Sequence, residues 1–254
     1  MDRDHRPGIK STQTVFAILD VISETEGCRL TDIANELEMS KSTVHDHLAS
    51  LRDGGFVNRS GDEYTLGLKL FDYGIQARNQ WDIFDAAEPK IEELAASVGE
   101  RTWCFVEYDH RLVYLCGAAA ATQVKTPHRL GRHAYLHHLA GGKAMLAHFP
   151  EEYVREIIDE HGLPPVTENT ITDEDELFEE LEEIRRTGIA YNDEEAMIGL
   201  RAIGTVIKSV DDEVYGSIAL SGPANRFSED RIEAELREPL LGTANEIELN
   251  LRNF

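Results

Sequence analysis

The sequence is poor in cysteine, with Cys28, Cys104 and Cys116 as its three cysteines in 254 residues. An odd and sparse set argues against a disulfide scaffold and favours a reducing compartment. No Cys-x-x-Cys pair occurs, which excludes a structural zinc ribbon.

Long apolar runs are also absent. No stretch approaches the roughly 18 apolar residues of a membrane-spanning helix, and the start MDRDHRPGIK lacks the apolar core of a signal peptide. We therefore expect a soluble cytoplasmic protein with no membrane partner. Hydrophobic residues make up 41% of the chain, enough to bury a core and to argue against global disorder.

Lysine is scarce, with 7 Lys against 18 Arg, and the formal net charge is −23. An acidic, lysine-poor composition predicts a halophilic protein that its charge keeps soluble in a salt-rich cytoplasm, although an ordinary acidic protein has the same signature. The charge is uneven, because residues 1–79 hold 9 basic and 13 acidic groups and the remainder carries a net −19. Only the first third can approach DNA without strong repulsion.

That first third has the pattern of a winged helix-turn-helix. Helical spacing of apolar residues predicts helices at 13–23, from Thr31 (as its cap) to Met39, and from Ser40 (as its cap) to Gly54-Gly55. Two short strands, at 56–59 and 64–68, follow with a tight turn between them. The short join before Ser40 is typical of the helix-turn-helix motif.

The third helix, in the stretch SKSTVHDHLASL, is the candidate recognition helix. In this motif the N-terminal residues of the second helix of the pair meet base edges in the major groove. Hydroxyls and histidines suit phosphate and base contacts, whereas Asp46 repels phosphate unless it accepts from a cytosine amine. The predicted DNA-binding residues are Lys41, Ser42, Thr43, His45, Asp46, His47, Ser50, Arg52 and Arg59. The alternative is that any three-helix unit needs such a helix.

The rest of the chain alternates strand and helix patterns. One hairpin is expected in TWCFVEY with RLVYLCGAA, and a second in AIGTVIKSV with VYGSIALSG. A short strand is expected at Val124–Thr126, and a final helix after Ser228. Helices are expected at 141–149, 151–160 and 174–187. A sheet with helices on its faces is an α+β sensor-like domain.

Three further motifs carry a family resemblance. Together with the winged helix, LHHLAGGKAMLA (136–147), NDEEAMIGLRAIG (192–204) and SGPANRF (221–227) resemble the IclR family of transcription regulators. The resemblance implies a winged helix-turn-helix domain at 1–70, a linker helix at 71–82 and a GAF-like (PAS-like) effector-binding domain at 83–254. It also implies a homodimer or dimer of dimers on a palindromic double-stranded operator, no cofactor and no enzymatic activity.

By match to the family, an effector pocket would be lined by Leu130, His133, Gly141, Gly142, Asn192, Asp193, Ala202, Ala219 and Ser221. Glycine N–H groups at a helix start can meet an anion, Ser221 can donate, and a cationic His133 would attract a carboxylate. A sugar acid or other small organic acid is the expected ligand. The alternatives are a turn at the glycines, a surface charge at Lys143 and a solvated turn at Asp193-Glu194-Glu195.

Other functions remain open at the level of the residues. A metal-responsive regulator would use the histidines at 128, 133, 137, 138 and 148, although no His-Glu-x-x-His motif is present. A hydrolase is disfavoured because no Gly-x-Ser-x-Gly occurs. A redox-responsive regulator requires Cys104 opposite Cys116, which a three-residue hairpin loop gives and a two-residue loop does not.

Overall fold

A computed structural model describes residues 9–25, 27–119 and 130–252. The chain divides into two compact units, Met1–Ala77 and Arg78–Phe254. The predicted strand at Val124–Thr126 and the predicted metal-site residue His128 lie outside the described residues.

The first unit combines helices with a small antiparallel sheet. Its helices are α1 (Lys10–Glu24), α2 (Leu30–Glu36), α3 (Lys41–Asp53) and α4 (Lys69–Arg78), the last of which reaches the boundary, and its strands are β1 (Cys28–Arg29), β2 (Val57–Ser60) and β3 (Glu63–Leu66). The strand order is β1-β3-β2. The predicted winged helix-turn-helix is therefore confirmed, with β2 and β3 as the wing.

The helix boundaries of this unit follow from local hydrogen bonds. The prediction that Ser40 caps α3 is confirmed, since the Thr43 N–H donates to Ser40 Oγ at 3.2 Å. The prediction that Thr31 caps α2 is wrong: the helix begins at Leu30, and the Arg29 N–H donates to the Asp32 carboxylate at 3.1 Å. The side chain that ties the first turn is thus Asp32, inside the helix.

The second unit is larger. Its strands are β4 (Arg101–Tyr108), β5 (Arg111–Ala118), β6 (His133–Ala134), β7 (Ala190–Asp193), β8 (Leu200–Lys208) and β9 (Val214–Pro223). Its helices are α5 (Asp82–Val98), α6 (Ala140–Leu146), α7 (Glu151–His161), α8 (Glu174–Thr187), α9 (Glu229–Arg231) and α10 (Arg237–Leu251), with a π-helical turn at Ile232–Leu236.

The described strands of this unit form one antiparallel sheet in the order β6-β5-β4-β9-β8-β7. One face packs against α5 and α10, and the other packs against α6, α7 and α8. The expected α+β class is confirmed. None of the helices in residues 9–25, 27–119 and 130–252 combines the length and apolar character that a membrane crossing requires.

Helix α6 lies unusually close to its surroundings. A Cβ added at Gly204 of β8 would lie 2.8 Å from the α6 backbone, and one added at Gly142 would lie 2.1 Å from the Leu136 carbonyl oxygen. Real Cβ atoms do not tolerate such distances, so glycine is required at both positions for backbone to approach backbone.

Two alanine substitutions in helices of the same unit test this packing. Gly142→Ala forces a clash with the backbone at Leu136 and should lower the free energy of unfolding by about 1–3 kcal/mol. Gly242→Ala, at an exposed site of α10 with no atom within 4 Å of the new Cβ, should raise it by about 0.5–1 kcal/mol. Calorimetry of the full chain measures both, and a shift of the same sign in the two variants would contradict the packing argument.

Candidate functional site

Helix α3 presents a hydroxyl cluster at its start. Ser40 Oγ lies 2.9 Å from Ser42 Oγ and 2.8 Å from Thr43 Oγ1. The inward side chains Val44 and Leu48 are buried. The two hydroxyls nearest the cap are therefore held by one network at the helix N-terminus, where the helix dipole also favours an anion such as phosphate.

The structure places most of the predicted DNA-binding residues on the surface of the first unit. His47 is half-buried, which leaves less of it to meet DNA. Arg59 belongs to β2, where its Nε donates to the Gly61 carbonyl at 2.8 Å in the turn of the wing. The exposed members of the predicted set are Lys41, Ser42, Thr43, His45, Asp46, Ser50, Arg52 and Arg59.

In the second unit, several predicted effector residues share one face of the sheet. Ala202 pairs with Ser221 across β8 and β9, and Ala219 lies two residues before Ser221, so the three side chains point the same way. Gly141 of α6 covers this face, because a Cβ there would meet the Phe105 ring at 2.5 Å. The glycines have a packing role, which does not depend on a ligand.

One polar group on this face is the Ser217 hydroxyl. The Ser217 side chain is fully buried, and no described residue forms a hydrogen bond with its hydroxyl. Ser217, Ala219 and Ser221 are alternate residues of β9 and line the same face. Helix α6 covers this hydroxyl, because a Cβ at Gly141 would lie 2.8 Å from Ser217 Oγ.

Sequence reasoning missed Arg101, which opens β4 directly opposite Ser221. Its guanidinium carbon lies 5.4 Å from the ring centroid of Trp103. Loss of hydration lowers the pKa of Arg101, but from so high a value that the group stays charged. An arginine that begins an apolar strand and is followed two residues later by tryptophan was the available signal.

The aromatic wall beside Arg101 continues across the hairpin. The Trp103 and Tyr114 ring centroids are 5.1 Å apart, and those of Phe105 and Tyr114 are 4.8 Å apart. Burial raises the pKa of Tyr114 to about 12, against the opposing effect of Arg132, so the phenol is neutral at neutral pH. The face thus combines a cation, hydroxyls and flat apolar walls.

Asn192 pairs with Ala202 across β7 and β8 and lies on the same face, whereas Asp193 does not. Their roles as effector contacts stay a prediction. They are consecutive on β7 and point to opposite sides, by the two-residue period of a strand. Asp193 is exposed, and Arg201 Nε donates to its Oδ1 at 2.5 Å. Asn192 is buried, donates to the His138 carbonyl at 2.7 Å and accepts from the Glu195 N–H at 3.1 Å, so its amide holds the backbone together.

Leu130 and His133 are exposed, and His133 belongs to β6 at the sheet edge opposite to β7. Loss of hydration, followed by the effect of the nearby Arg111 cation, lowers the pKa of His133. This shift favours the neutral ring in the absence of an anion, and the expectation that His133 is cationic beside a bound anion stays a prediction.

A groove of about 410 Å³ opens at the β7 edge. Apolar Phe227 and Ile232 line it together with Asp193, Glu229 and Glu233. The predicted effector residues Asn192 and Ala202 line it as well. Arg201 pairs with Asp193, and Arg237 pairs with Glu233, so the lining keeps a net negative charge that disfavours an organic acid.

Lys143 is not the expected surface charge. It is 1% exposed, and its Nζ donates to Glu195 Oε1 at 2.8 Å and to Glu180 Oε1 at 2.9 Å. The expectation of a solvated turn is likewise wrong for Glu195, which is buried. Helix α6 is thereby joined to α8 and to the segment after β7.

The redox alternative requires two facing cysteines with a reactive thiolate, and the structure provides only the first of these. The hairpin loop has two residues, Asp109 and His110, yet Cys104 faces Cys116, because a β-bulge between Cys104 and Phe105 shifts the register. A hydrogen bond with Cys116 and burial raise the pKa of Cys104. Because the thiolate is the reactive form of cysteine, a raised pKa makes Cys104 less reactive. Both buried cysteines belong to the hydrophobic core.

The metal alternative finds no support in the part of the chain that the structure describes. Within residues 9–25, 27–119 and 130–252, no group of three or more His, Cys, Asp or Glu side chains is placed to hold a metal ion. His137 instead bonds to the Pro164 carbonyl, and His148 bonds to the Ala144 carbonyl.

Comparison with known proteins covers both units. Residues 11–61 match the family model described as the IclR helix-turn-helix domain, and residues 75–249 match that of the bacterial transcriptional regulator IclR C-terminal domain. The chain is 30% identical over 247 residues to the probable HTH-type transcriptional regulator ArcR of Halobacterium salinarum, with 96% of this chain and 94% of the relative covered.

Solved structures share the fold. The Thermotoga maritima IclR has a TM-score of 0.81 at 30% identity, covering 96% of this chain and 99% of that one. An IclR homolog from Microbacterium hydrocarbonoxydans, complexed with 4-hydroxybenzoate, has a TM-score of 0.81 at 22% identity, covering 96% of this chain and 100% of that one.

Removing the Lys143 ammonium tests the ion-pair group. Lys143→Met leaves two carboxylates facing one another without their cation and should lower the free energy of unfolding by about 3–5 kcal/mol. Lys90→Met is the matched control, since Lys90 also contacts two carboxylates, Glu93 and Glu246, but at the surface, and should change stability little. Equal losses in the two variants would contradict a special role for the buried pair.

The Glu195 carboxyl adds a pH dependence. Burial raises its pKa above the ordinary 4.5, more than Lys143 lowers it. The folded form therefore loses stability as the pH rises from about 4.5 through the folded-state pKa. Glu195→Gln lacks this loss, so its stability relative to the parent chain should increase as the pH rises above about 4.5. Urea titrations at several pH values measure the difference, and a flat or falling difference would contradict the assignment.

Proposed function

Because the chain belongs to the IclR family of transcriptional regulators, we propose that it binds a palindromic operator as a homodimer or dimer of dimers and responds to a small organic acid. As a member of this family it is a DNA-binding regulator with an effector-binding C-terminal domain, and not an enzyme. We further propose that it works in a salt-rich cytoplasm.

Dimerisation is supported by geometry and by the surface of the first unit. A single recognition helix reads too few base pairs to find one site in a genome, and a twofold dimer reads two half-sites. The first unit also exposes large apolar side chains on α1 and at α4. Phe16 is 59% exposed and Phe71 is 67% exposed, which favours their burial in a contact between copies.

DNA binding would rest on α3 and the wing. Lys41 stands at the first position of α3, and Arg59 stands on β2 next to the turn of the wing. These cations would meet phosphate, whereas the Ser42 and Thr43 hydroxyls and the helix N-terminus would add bonds that depend less on salt. A small number of phosphate contacts suits high salt, because each contact gains little from counterion release there.

Neutralising these cations tests the interface. Lys41→Gln and Arg59→Gln should each weaken binding to every duplex and reduce the slope of log affinity against log salt by about 1. Lys90→Gln, in the second unit, is the control and should leave the slope unchanged. Fluorescence anisotropy with a labelled promoter fragment over a range of KCl concentrations gives the slopes. Unchanged slopes in both first-unit variants would contradict this interface.

The effector site is proposed on the face that carries Ser217, Ala219 and Ser221. The observation that carries it is Arg101, a guanidinium opposite Ser221 and over Trp103, on a unit that is otherwise strongly acidic. A carboxylate would bind Arg101 with charge-assisted hydrogen bonds. The Ser221 hydroxyl would serve a second polar atom, and the rings of Trp103 and Phe105 would bound a flat or compact carbon skeleton.

The cation on this face can be removed while its apolar stem is kept. Arg101→Met should weaken an acid effector at least about tenfold, because one charge-assisted bond is worth about 1.5–3 kcal/mol. DNA affinity without effector should be preserved. Arg111→Met is the matched control, since Arg111 also lies over an aromatic ring, that of Tyr135, in the same sheet.

The probes for this test are gluconate and 4-hydroxybenzoate, each compared with its uncharged amide. Thermal shift of the full chain and release of labelled DNA are the two readouts. The parent chain should respond to at least one acid and not to its amide. An Arg101→Met chain that responds like the parent would contradict the proposed site.

A further inference from the structure

The outward face of α3 carries an acidic residue at its centre. Val44, Leu48 and Leu51 form the row that faces the core. At about 100° per residue, Asp46 and Asp53 project almost directly opposite this row, with Ser42 next to them. The side chains of Asp46 and Asp53 are 84% and 79% exposed.

The outward row, formed by Ser42, Asp46 and Asp53, has side chains of different charge on its two sides. Lys41, His45 and Arg52 project on one side of it, and Thr43 and Ser50 project on the other, by the same 100° rotation. When a helix lies in the major groove, its outermost row faces the base edges and its flanks face the sugar-phosphate walls. Asp46, in the second turn, then lies over bases, whereas Asp53 is the last residue of the helix.

Helix stability does not account for Asp46. The N-cap is Ser40, and aspartate inside a helix is a poor helix former. His45 Nδ1 lies 3.5 Å from Asp46 Oδ1, an exposed neighbour that adds little. Against DNA, a carboxylate at this position is repelled by every phosphate around it.

A carboxylate in the groove tolerates only some bases. It is an acceptor at both oxygens. Guanine presents O6 and N7 and thymine presents O4, which are acceptors, while adenine presents an N6 amine beside the N7 acceptor. Cytosine presents its N4 amine with no acceptor beside it on that edge, so it is the base that a carboxylate meets without repulsion.

We propose that Asp46 determines operator specificity by accepting a hydrogen bond from the N4 amine of a cytosine in each half-site, and that it rejects guanine and thymine there by repulsion. The proposal rests on the proposed DNA-binding function of α3. It assigns Asp46 a role in choosing the sequence, at the expense of general affinity.

Selection of duplexes from a random library by the full-length chain tests the assignment. The parent chain should enrich one cytosine at a fixed place in each half-site. Asp46→Asn should change the preference at that place alone to adenine, because asparagine pairs with adenine N6 and N7. Asp46→Ala should lose the preference there, and Asp53→Asn, the matched control in the same outward row, should leave all preferences unchanged.

Affinities on chosen duplexes make the result quantitative. Replacing the selected C·G pair by T·A should weaken the parent chain about 5- to 150-fold. The Asp46→Ala chain should bind the two duplexes within about twofold of each other. Asp46→Glu, which keeps the carboxylate, should retain the preference for cytosine.

Three results would contradict these expectations, and each has a different meaning. If Asp46→Asn and Asp46→Ala bind all duplexes more tightly with unchanged preferences, the carboxylate acts only through its charge and the proposal is overturned. The same holds if adenine is the base selected by the parent chain. If the parent chain enriches no sequence, the proposed function itself fails. Because Asp46 is exposed, the variants should fold, and their thermal unfolding checks this directly.

Discussion

The second unit depends on one buried cation. Lys143 places its ammonium between Glu195 and Glu180 with almost no contact with water. Removing either partner leaves a charge in a medium that solvates it poorly, so the pair specifies an arrangement more than it adds net stability. The arrangement is the position of α6 relative to α8 and to the segment after β7. Thr170 Oγ1 strengthens that segment by donating to the Glu195 carbonyl at 2.8 Å.

The position of α6 in turn shapes the candidate effector face. Gly204 and Gly142 let the backbone of α6 lie on its neighbours, and Gly141 leaves space for the Phe105 ring beneath the helix. Ala202 and Ala219 are the small side chains of the same face. Arg101 and Ser221 stand beyond these alanines, where β4 meets β9. The polar chemistry is thus concentrated next to a rigid wall, as a site that recognises a small charged molecule requires.

The sequence predicts the elements well where local chemistry decides them. Ser40 shows the cap of α3, and the period of apolar residues shows the hairpins and most helices. Prediction from the sequence fails where a tertiary contact decides the position of a residue. Lys143 resembles any mid-helix lysine until its distant carboxylates are known, and the opposition of Cys104 and Cys116 depends on a bulge that no residue pattern marks. That Asn192 and Asp193 point to opposite faces follows from the sequence alone, because neighbours in a strand face opposite sides.

The charge distribution bears on how such a protein finds its site. An acidic chain in concentrated salt gains little from phosphate contacts, so discrimination must come from groups whose effect salt does not erase. Repulsion between a carboxylate and a base acceptor acts at contact distance, within the screening length of even concentrated salt. An aspartate at the outermost point of a recognition helix therefore lowers affinity for most sequences while keeping its selectivity. The lost affinity is tolerable in a dimer, because two half-sites contribute to one binding event.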